Sequence, residues 1–208
     1  MSAQAILAAG VARLNLMLSA QTQQMLLDYV ALVQKWNKVY NLTAVRGADN
    51  MLTHHLLDSL AVVPYVVDAK TILDAGSGAG LPGIPLAIAM PDAHVTLLDS
   101  NHKKTAFLNQ VVIELKLGNA EVVCERVEKY RAKQLFSVVV SRAFSSLPEF
   151  AARAGGLVAP GGILLAMKGV HPAEEIAQIK SGFKLSGVTP LKVPGLDAER
   201  HLVFLKAA

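Results

Sequence analysis

The chain has 208 residues, 52% of them hydrophobic and 17% charged, with a mean hydropathy of +0.39. That is one domain of ordinary size with ample apolar material for a core, which excludes a disordered or fibrous chain. The formal charge of +4 permits an anionic partner without demanding one, and the single cysteine, Cys124, excludes an internal disulfide and suits a reducing cytoplasm.

The opening MSAQAILAAGVARLNLMLSA lacks a positive start and is interrupted by Arg13, so it reads as a surface helix rather than a signal peptide. Ser19 to Thr22 offers an N-cap ahead of QQMLLDYVALVQKW, where Leu26, Tyr29, Val30, Val33 and Trp36 recur at helical spacing. Asp49 or Asn50 caps a further helix, MLTHHLLDSLAVV. No uninterrupted apolar run reaches the roughly 18 residues of a membrane span, so no membrane partner is expected. Residues 1–66 thus read as a helical extension packed on a core domain of residues 67–208.

From residue 70 the pattern alternates. TILDA is a short buried strand, followed by a glycine-rich loop and a helix from Pro82 to Met90; HVTLLD is the next strand and KTAFLNQVVIELKL the next helix. AEVVC, FSVVVS and GILLAMK are further strands, and FKLSGVTPLKV and HLVFLKA close the chain. Alternating strands and helices imply an α/β fold with a parallel sheet covered on both faces. The last two strands, joined by PGLDAER, form an antiparallel pair at or near one edge. A mostly parallel seven-stranded sheet with one antiparallel strand is the pattern of the class I, Rossmann-like methyltransferase fold.

The loop DAGSGAGLPGIP, residues 74–85, permits two registers. Gly78, Gly80 and Gly83 spell the dinucleotide fingerprint G-x-G-x-x-G. Gly76, Gly78 and Gly80 spell G-x-G-x-G after Asp74. The first register starts the turn after Gly76 has already broken the strand, and it leaves Asp74 unexplained. A carboxylate there repels a diphosphate but suits S-adenosylmethionine, which carries an ammonium, a sulfonium and no phosphate. Asp99 ends the second strand, 21 residues beyond Gly78, where an acid accepts from a ribose diol in either cofactor. The loop therefore favours the methyl donor, with an NAD-dependent oxidoreductase as the alternative.

Open α/β sheets bind ligands beyond the carboxyl ends of their strands. Arg126 follows AEVVC, Arg142 ends FSVVVS, Lys168 ends GILLAMK, and Arg200 precedes an antiparallel strand starting at that edge. Four cations at one edge read as the binding and catalytic rim for an anionic substrate such as RNA, against scattered charge paired with Glu125, Glu128 and Glu199. A small-molecule or protein methyltransferase would not need that rim. His54, His55 and Asp58 sit at helical spacing, but only two share a face, so no metal site is expected. Cys124 reads as a packed thiol, Ser141 lacks a nucleophile elbow, and Trp36 and Tyr40 read as packing residues.

Base-amine methylation usually employs an Asp/Asn-Pro-Pro-aromatic loop after the fourth strand, where Ser141-Arg142-Ala143-Phe144 stands instead; cytosine-C5 chemistry needs a nucleophilic Cys beside Pro, which Cys124 lacks. A ring nitrogen such as guanine N7 already carries an in-plane lone pair and needs alignment rather than a base.

Trp36-Asn37-Lys38 with Tyr40-Asn41-Leu42-Thr43, His55-Leu56-Leu57-Asp58-Ser59, Gly80-Leu81-Pro82-Gly83-Ile84-Pro85, Ser141-Arg142-Ala143-Phe144 and Glu199-Arg200-His201 together resemble one family. It is the bacterial 16S ribosomal RNA (guanine-N7) methyltransferase family, also called glucose-inhibited division protein B, and the resemblance runs from about residue 15 to 206. It implies methylation of guanine 527 at N7 in 16S rRNA of the small ribosomal subunit, leaving S-adenosylhomocysteine; a cytoplasmic monomer is expected. It implies cofactor contacts at Gly76 and Leu81, at Val127 and Glu128 near the adenine, and at Arg142 where cofactor and substrate meet; Arg126, Lys168 and Arg200 match basic positions near the pocket. With Asp74, Ser77, Gly78, Gly80 and Asp99 these complete the expected cofactor site. Ser77 and Ala79 replace the Thr and Pro often found there, which leaves backbone contacts intact. Neither the residues nor the resemblance assigns a role to Asn41, His55 or Asp58.

Overall fold

The computed structural model describes residues 2–142, 144–179 and 182–208. Seven strands among them form one sheet in the order β3-β2-β1-β4-β5-β7-β6. They are β1 (Thr71–Ala75), β2 (His94–Asp99), β3 (Ala120–Cys124), β4 (Phe136–Ser141), β5 (Val158–Lys168), β6 (Phe183–Pro190) and β7 (His201–Ala207). β1 to β5 pair in parallel, and β7 runs antiparallel between β5 and β6. The inner strands are covered on both faces, so their sequences are continuous apolar runs rather than alternating ones. The chain reverses at β7, and the register that sets Lys168 opposite His201 brings Arg200 to the edge where the parallel strands end.

The helices are α1 (Ala3–Arg13), α2 (Ala20–Tyr40), α3 (Ala48–Met51), α4 (Asp58–Leu60), α5 (Gly83–Ala89), α6 (His102–Glu114), α7 (Leu147–Ala154) and α8 (Ala173–Ala177). Ser19 caps α2 by accepting from the Thr22 N–H at 3.1 Å, and Asn41 ends it in the left-handed region at φ 50°. Asn101 Oδ1 caps α6 by accepting from the Lys103 and Lys104 N–H groups. Neither Asp49 nor Asn50 caps the helix after residue 47. It starts from Gly47, with no side-chain cap, because Gly47 supplies the φ of +85° that the entry needs. Between α3 and α4 the backbone widens into a π-helical segment, Leu52–Leu57.

The helical extension shares one apolar cluster with the sheet: Leu7, Leu26 and Leu56 belong to the same buried group as Ile72, Ile84 and Phe107. Trp36 packs at 5.3 Å from Tyr40 and 5.7 Å from Phe107 (ring centroids). Tyr29, fully buried on α2, donates its hydroxyl to the Ala79 carbonyl of the glycine-rich loop at 2.7 Å. Burial pushes this phenol well above its ordinary pKa, which keeps it a donor. Tyr29→Phe would leave that carbonyl buried without a partner and is expected to cost about 1–2 kcal/mol in urea unfolding, with weaker cofactor affinity as the loop loosens. No helix among the described residues is long and apolar enough to cross a membrane.

Candidate active site

The glycine-rich loop joins β1 to α5, and its donors are turned inward. The Gly76 and Ser77 N–H groups donate to the Leu98 carbonyl at 2.8 and 2.9 Å, and those of Gly80 and Leu81 to the Ser77 carbonyl at 2.8 and 3.0 Å. Gly78 donates to Asp99 Oδ2 and Gly83 to Asp74 Oδ2, both at 2.9 Å. A phosphate-binding loop keeps such donors for its ligand. Here they are spent on the protein, beside two carboxylates, so the loop fits a cationic ligand and not a diphosphate. Gly76 and Gly78 adopt φ of +75° and +61°, and a Cβ on Gly76 would meet nothing within 4 Å among the described residues. Gly80 serves packing: a Cβ on it would lie 2.6 Å from Ile84 and 2.9 Å from Leu108.

Beyond this turn lies a cavity of about 350 Å³ bordered by Gly76, Asp99, Lys104, Arg126, Val127 and Glu128, with Phe144 at its wall. That volume is within the range of small-ligand sites. Asp99 ends β2, is 8% exposed, and holds the Gly78 N–H with one oxygen and the Asn101 N–H, at 2.8 Å, with the other. Each oxygen retains a lone pair for a ligand hydroxyl. Gly76, Asp99, Val127 and Glu128 thus border one cavity of a size that suits an adenosine.

A second cavity of about 350 Å³ is bordered by Val45, His54, His55, Asp58, Arg142, Met167, Lys168, Gly169 and Arg200. Asp58, with 2% of its side chain exposed, lies between two guanidiniums: Arg200 Nε donates to Oδ1 at 3.0 Å, and Arg142 Nη1 lies 3.5 Å from Oδ2. Burial pushes the Asp58 carboxyl up, against the pull of Arg142 and Arg200. Arg142 also donates to the His54 carbonyl at 3.1 Å, and Lys168 pairs with Glu175 at 2.8 Å. His55 Nδ1 lies 3.0 Å from the His54 carbonyl and so donates; Nε2, 2.8 Å from Thr43 Oγ1, accepts. Burial and then the Arg142 charge lower the His55 pKa to about 4, so the ring is neutral at pH 7 with both nitrogens engaged. The π-helical widening sets this geometry, placing His55 and then Asp58 on the cavity side.

Asp74 is wholly buried behind the loop and does not border either cavity. One oxygen accepts from Ser77 Oγ at 2.6 Å and from Gly83, while Oδ1 has no partner among the described residues. It therefore shapes the loop and contributes charge from behind. Burial pushes its carboxyl up to about 6. Because the folded state holds this proton more tightly than the unfolded chain, Asp74 lowers stability as pH rises from about 4 to 6, by roughly 3 kcal/mol at most. His55 acts oppositely over a similar window, since its folded pKa is depressed. The expected result is therefore a difference: Asp74→Asn, followed by urea unfolding at pH 4 and pH 7, should gain stability relative to wild type at the higher pH.

Of the four cations expected at one rim, Arg142, Lys168 and Arg200 share the second cavity, whereas Arg126 borders the first and faces Glu128 at 4.0 Å. Leu81 and Ser77 are buried within the loop rather than in the cavity walls. Cys124 is not packed: it is exposed, with Sγ 3.2 Å from His102 Nδ1, because β3 is an edge strand. Ser141 Oγ donates to the Ala75 carbonyl at 2.8 Å. Ala143 of the Ser141–Phe144 motif lies outside the described residues. No three His, Cys, Asp or Glu side chains among the described residues gather as metal ligands. Sequence reasoning left Asn41, His55 and Asp58 without a role and did not single out Thr43; their presence in the motifs Tyr40-Asn41-Leu42-Thr43 and His55-Leu56-Leu57-Asp58-Ser59 was the available signal.

The family described as rRNA small subunit methyltransferase G matches residues 22–203. The ribosomal RNA small subunit methyltransferase G of Laribacter hongkongensis is 57% identical over 199 residues, covering 96% of each chain. That of Chromobacterium violaceum is 54% identical over 194 residues, covering 93% of each. Among solved structures, the glycopeptide N-methyltransferase MtfA complexed with S-adenosylmethionine matches with a TM-score of 0.60 and 14% identity, over 73% of this chain and 87% of that one. At that identity the likeness is one of fold, and the fold is that of class I methyltransferases.

Proposed function

Because the chain belongs to the rRNA small subunit methyltransferase G family, it is an S-adenosylmethionine-dependent rRNA methyltransferase, and we propose that its acceptor is N7 of guanine 527 in 16S rRNA. When bound, the cofactor supplies an electrophilic methyl group on a sulfonium. Gly76, Asp99, Val127 and Glu128 hold its adenosine part, while Asp74, Ser77, Gly78, Gly80 and Leu81 fix the loop. Arg142 follows β4, the strand between the loop-bearing β1 and the Lys168-bearing β5, and borders the second cavity rather than the first. Arg142, Lys168 and Arg200 orient the RNA by its phosphates, Arg126 adds charge at the cofactor side, and Asp58 holds the two arginines.

The observation that carries the choice of N7 is the state of the second cavity. His55 is neutral at pH 7 with both nitrogens engaged, and each oxygen of Asp58 faces a guanidinium, so both side chains are occupied within the protein rather than turned to an acceptor. An acceptor with its lone pair already exposed needs only alignment and exclusion of water from these residues. In this reading residues 1–66 are an extension and 67–208 the catalytic domain, and the protein works as a cytoplasmic monomer. The test is transfer of labelled methyl groups into small subunits from cells lacking the protein, followed by nucleoside analysis. Label in 7-methylguanosine of 16S rRNA is expected; label in ribosomal protein or in another nucleoside would overturn it.

A further inference from the structure

Each cation of the second cavity already has a carboxylate partner, Arg142 and Arg200 sharing Asp58 and Lys168 meeting Glu175, so one positive charge at most is left over there. They orient a substrate better than they attract one. Unmatched charge lies next door. A groove of about 480 Å³ is bordered by Ala31, Gln34, Lys35, Lys38, Arg46 and Met51, along the outer face of α2 and the loop that follows it. Lys35, Lys38 and Arg46 are exposed, and none pairs with a carboxylate among the described residues. Among the described residues Arg46 donates to the carbonyls of Thr43 and Val45. The nearest acid along the loop, Asp49, is exposed at the start of α3; Asp28 lies two turns up α2 and accepts from Gln24.

One short loop separates this groove from the second cavity. Val45 faces the cavity and Arg46 faces the groove. Thr43 ties the two sides together: its N–H donates to Asn37 Oδ1 on α2 at 2.9 Å and its hydroxyl to His55 at 2.8 Å. A single strand whose base enters the cavity continues over residues 43–47 and reaches Arg46, then Lys38 and Lys35. Successive side chains at that spacing on one helix face follow a phosphate backbone.

Resting on the rRNA-methyltransferase reading, we propose that this groove is a second RNA-docking surface, in which Lys35, Lys38 and Arg46 hold backbone phosphates flanking the target nucleotide. The helical extension then supplies affinity while the core supplies chemistry. Neutralising a phosphate contact lowers the salt slope of single-strand binding by about 0.7. The test measures binding of a 16S rRNA fragment carrying guanine 527 against salt concentration, for wild type, for Lys35→Ala/Lys38→Ala, for the same pair with Arg46→Ala, and for Lys184→Ala/Lys206→Ala. The last pair, facing each other across β6 and β7, is a charge-matched control at the opposite edge of the sheet. The slope should fall by about 1.4 in the double variant and about 2 in the triple. KM for small subunits should rise in the double variant with kcat and cofactor affinity kept. Equal slopes in wild type and variants, or an equal fall in the control, would overturn the proposal. Binding is read without turnover, so wild-type protein that docks the fragment but transfers no methyl group would sink the functional reading and leave the groove standing.

Discussion

Asp58→Ala is expected to cost about 3 kcal/mol of folding stability and at least ~100-fold in methyl transfer to rRNA. Asp58 stands between two guanidiniums that converge from the end of β4 and from the turn before β7, and offsets one of their two charges. Removing it leaves like charges facing each other with nothing between them. Breaking a buried ion pair by deleting one partner typically costs 3–5 kcal/mol. The lower end applies here, because Arg142 and Arg200 keep 26% and 23% of their side chains exposed and water screens them in part. The loss of rate follows from geometry: freed arginines no longer present their donors at fixed places. Asp58→Asn keeps the shape and one acceptor for Arg200 and should fold better than the alanine variant while remaining slow. Urea unfolding with single-turnover transfer separates the two effects. A stable Asp58→Ala protein with normal transfer would remove Asp58 from the site.

Asp99→Ala is expected to weaken cofactor binding roughly 10- to 100-fold, since a charged hydrogen bond is worth about 1.5–3 kcal/mol. The same carboxylate holds the Gly78 and Asn101 N–H groups, so the variant also loosens the turn that borders the adenosine cavity. Asp99→Asn retains one acceptor and should fall between. Calorimetry with S-adenosylmethionine and S-adenosylhomocysteine reads this directly, and unchanged affinity would take Asp99 out of the cofactor site.

Short apolar runs bounded by turn residues marked β1, β2 and β4 to the residue, because buried parallel strands carry that signature, and the same punctuation marked the partly exposed edge strand β3. β5 begins at Val158, ahead of the expected Gly162, because Ala-Pro-Gly-Gly reads as a turn while the pairing with β4 absorbs it in an irregularity. The π-helical segment at Leu52–Leu57 is invisible to a 3.6-residue period, and with it the inward placement of His55 and Asp58. Asp74 was legible as a carboxylate that disfavours phosphate, but not as a buried brace for the loop, since that depends on Ser77 and Gly83 turning back on it. Strand ends placed the four cations at one edge; which cavity each serves depends on side-chain direction, and that separated Arg126 from Arg142, Lys168 and Arg200.

The central claim is that this chain puts a methyl group on N7 of one guanine of 16S rRNA. Cleavage mapping of 7-methylguanosine in 16S rRNA, from cells with the gene, without it, and with it restored, tests that most directly. The account predicts a modification at guanine 527 that vanishes on deletion and returns on restoration. Unaltered modification at that position in the deleted cells would contradict it.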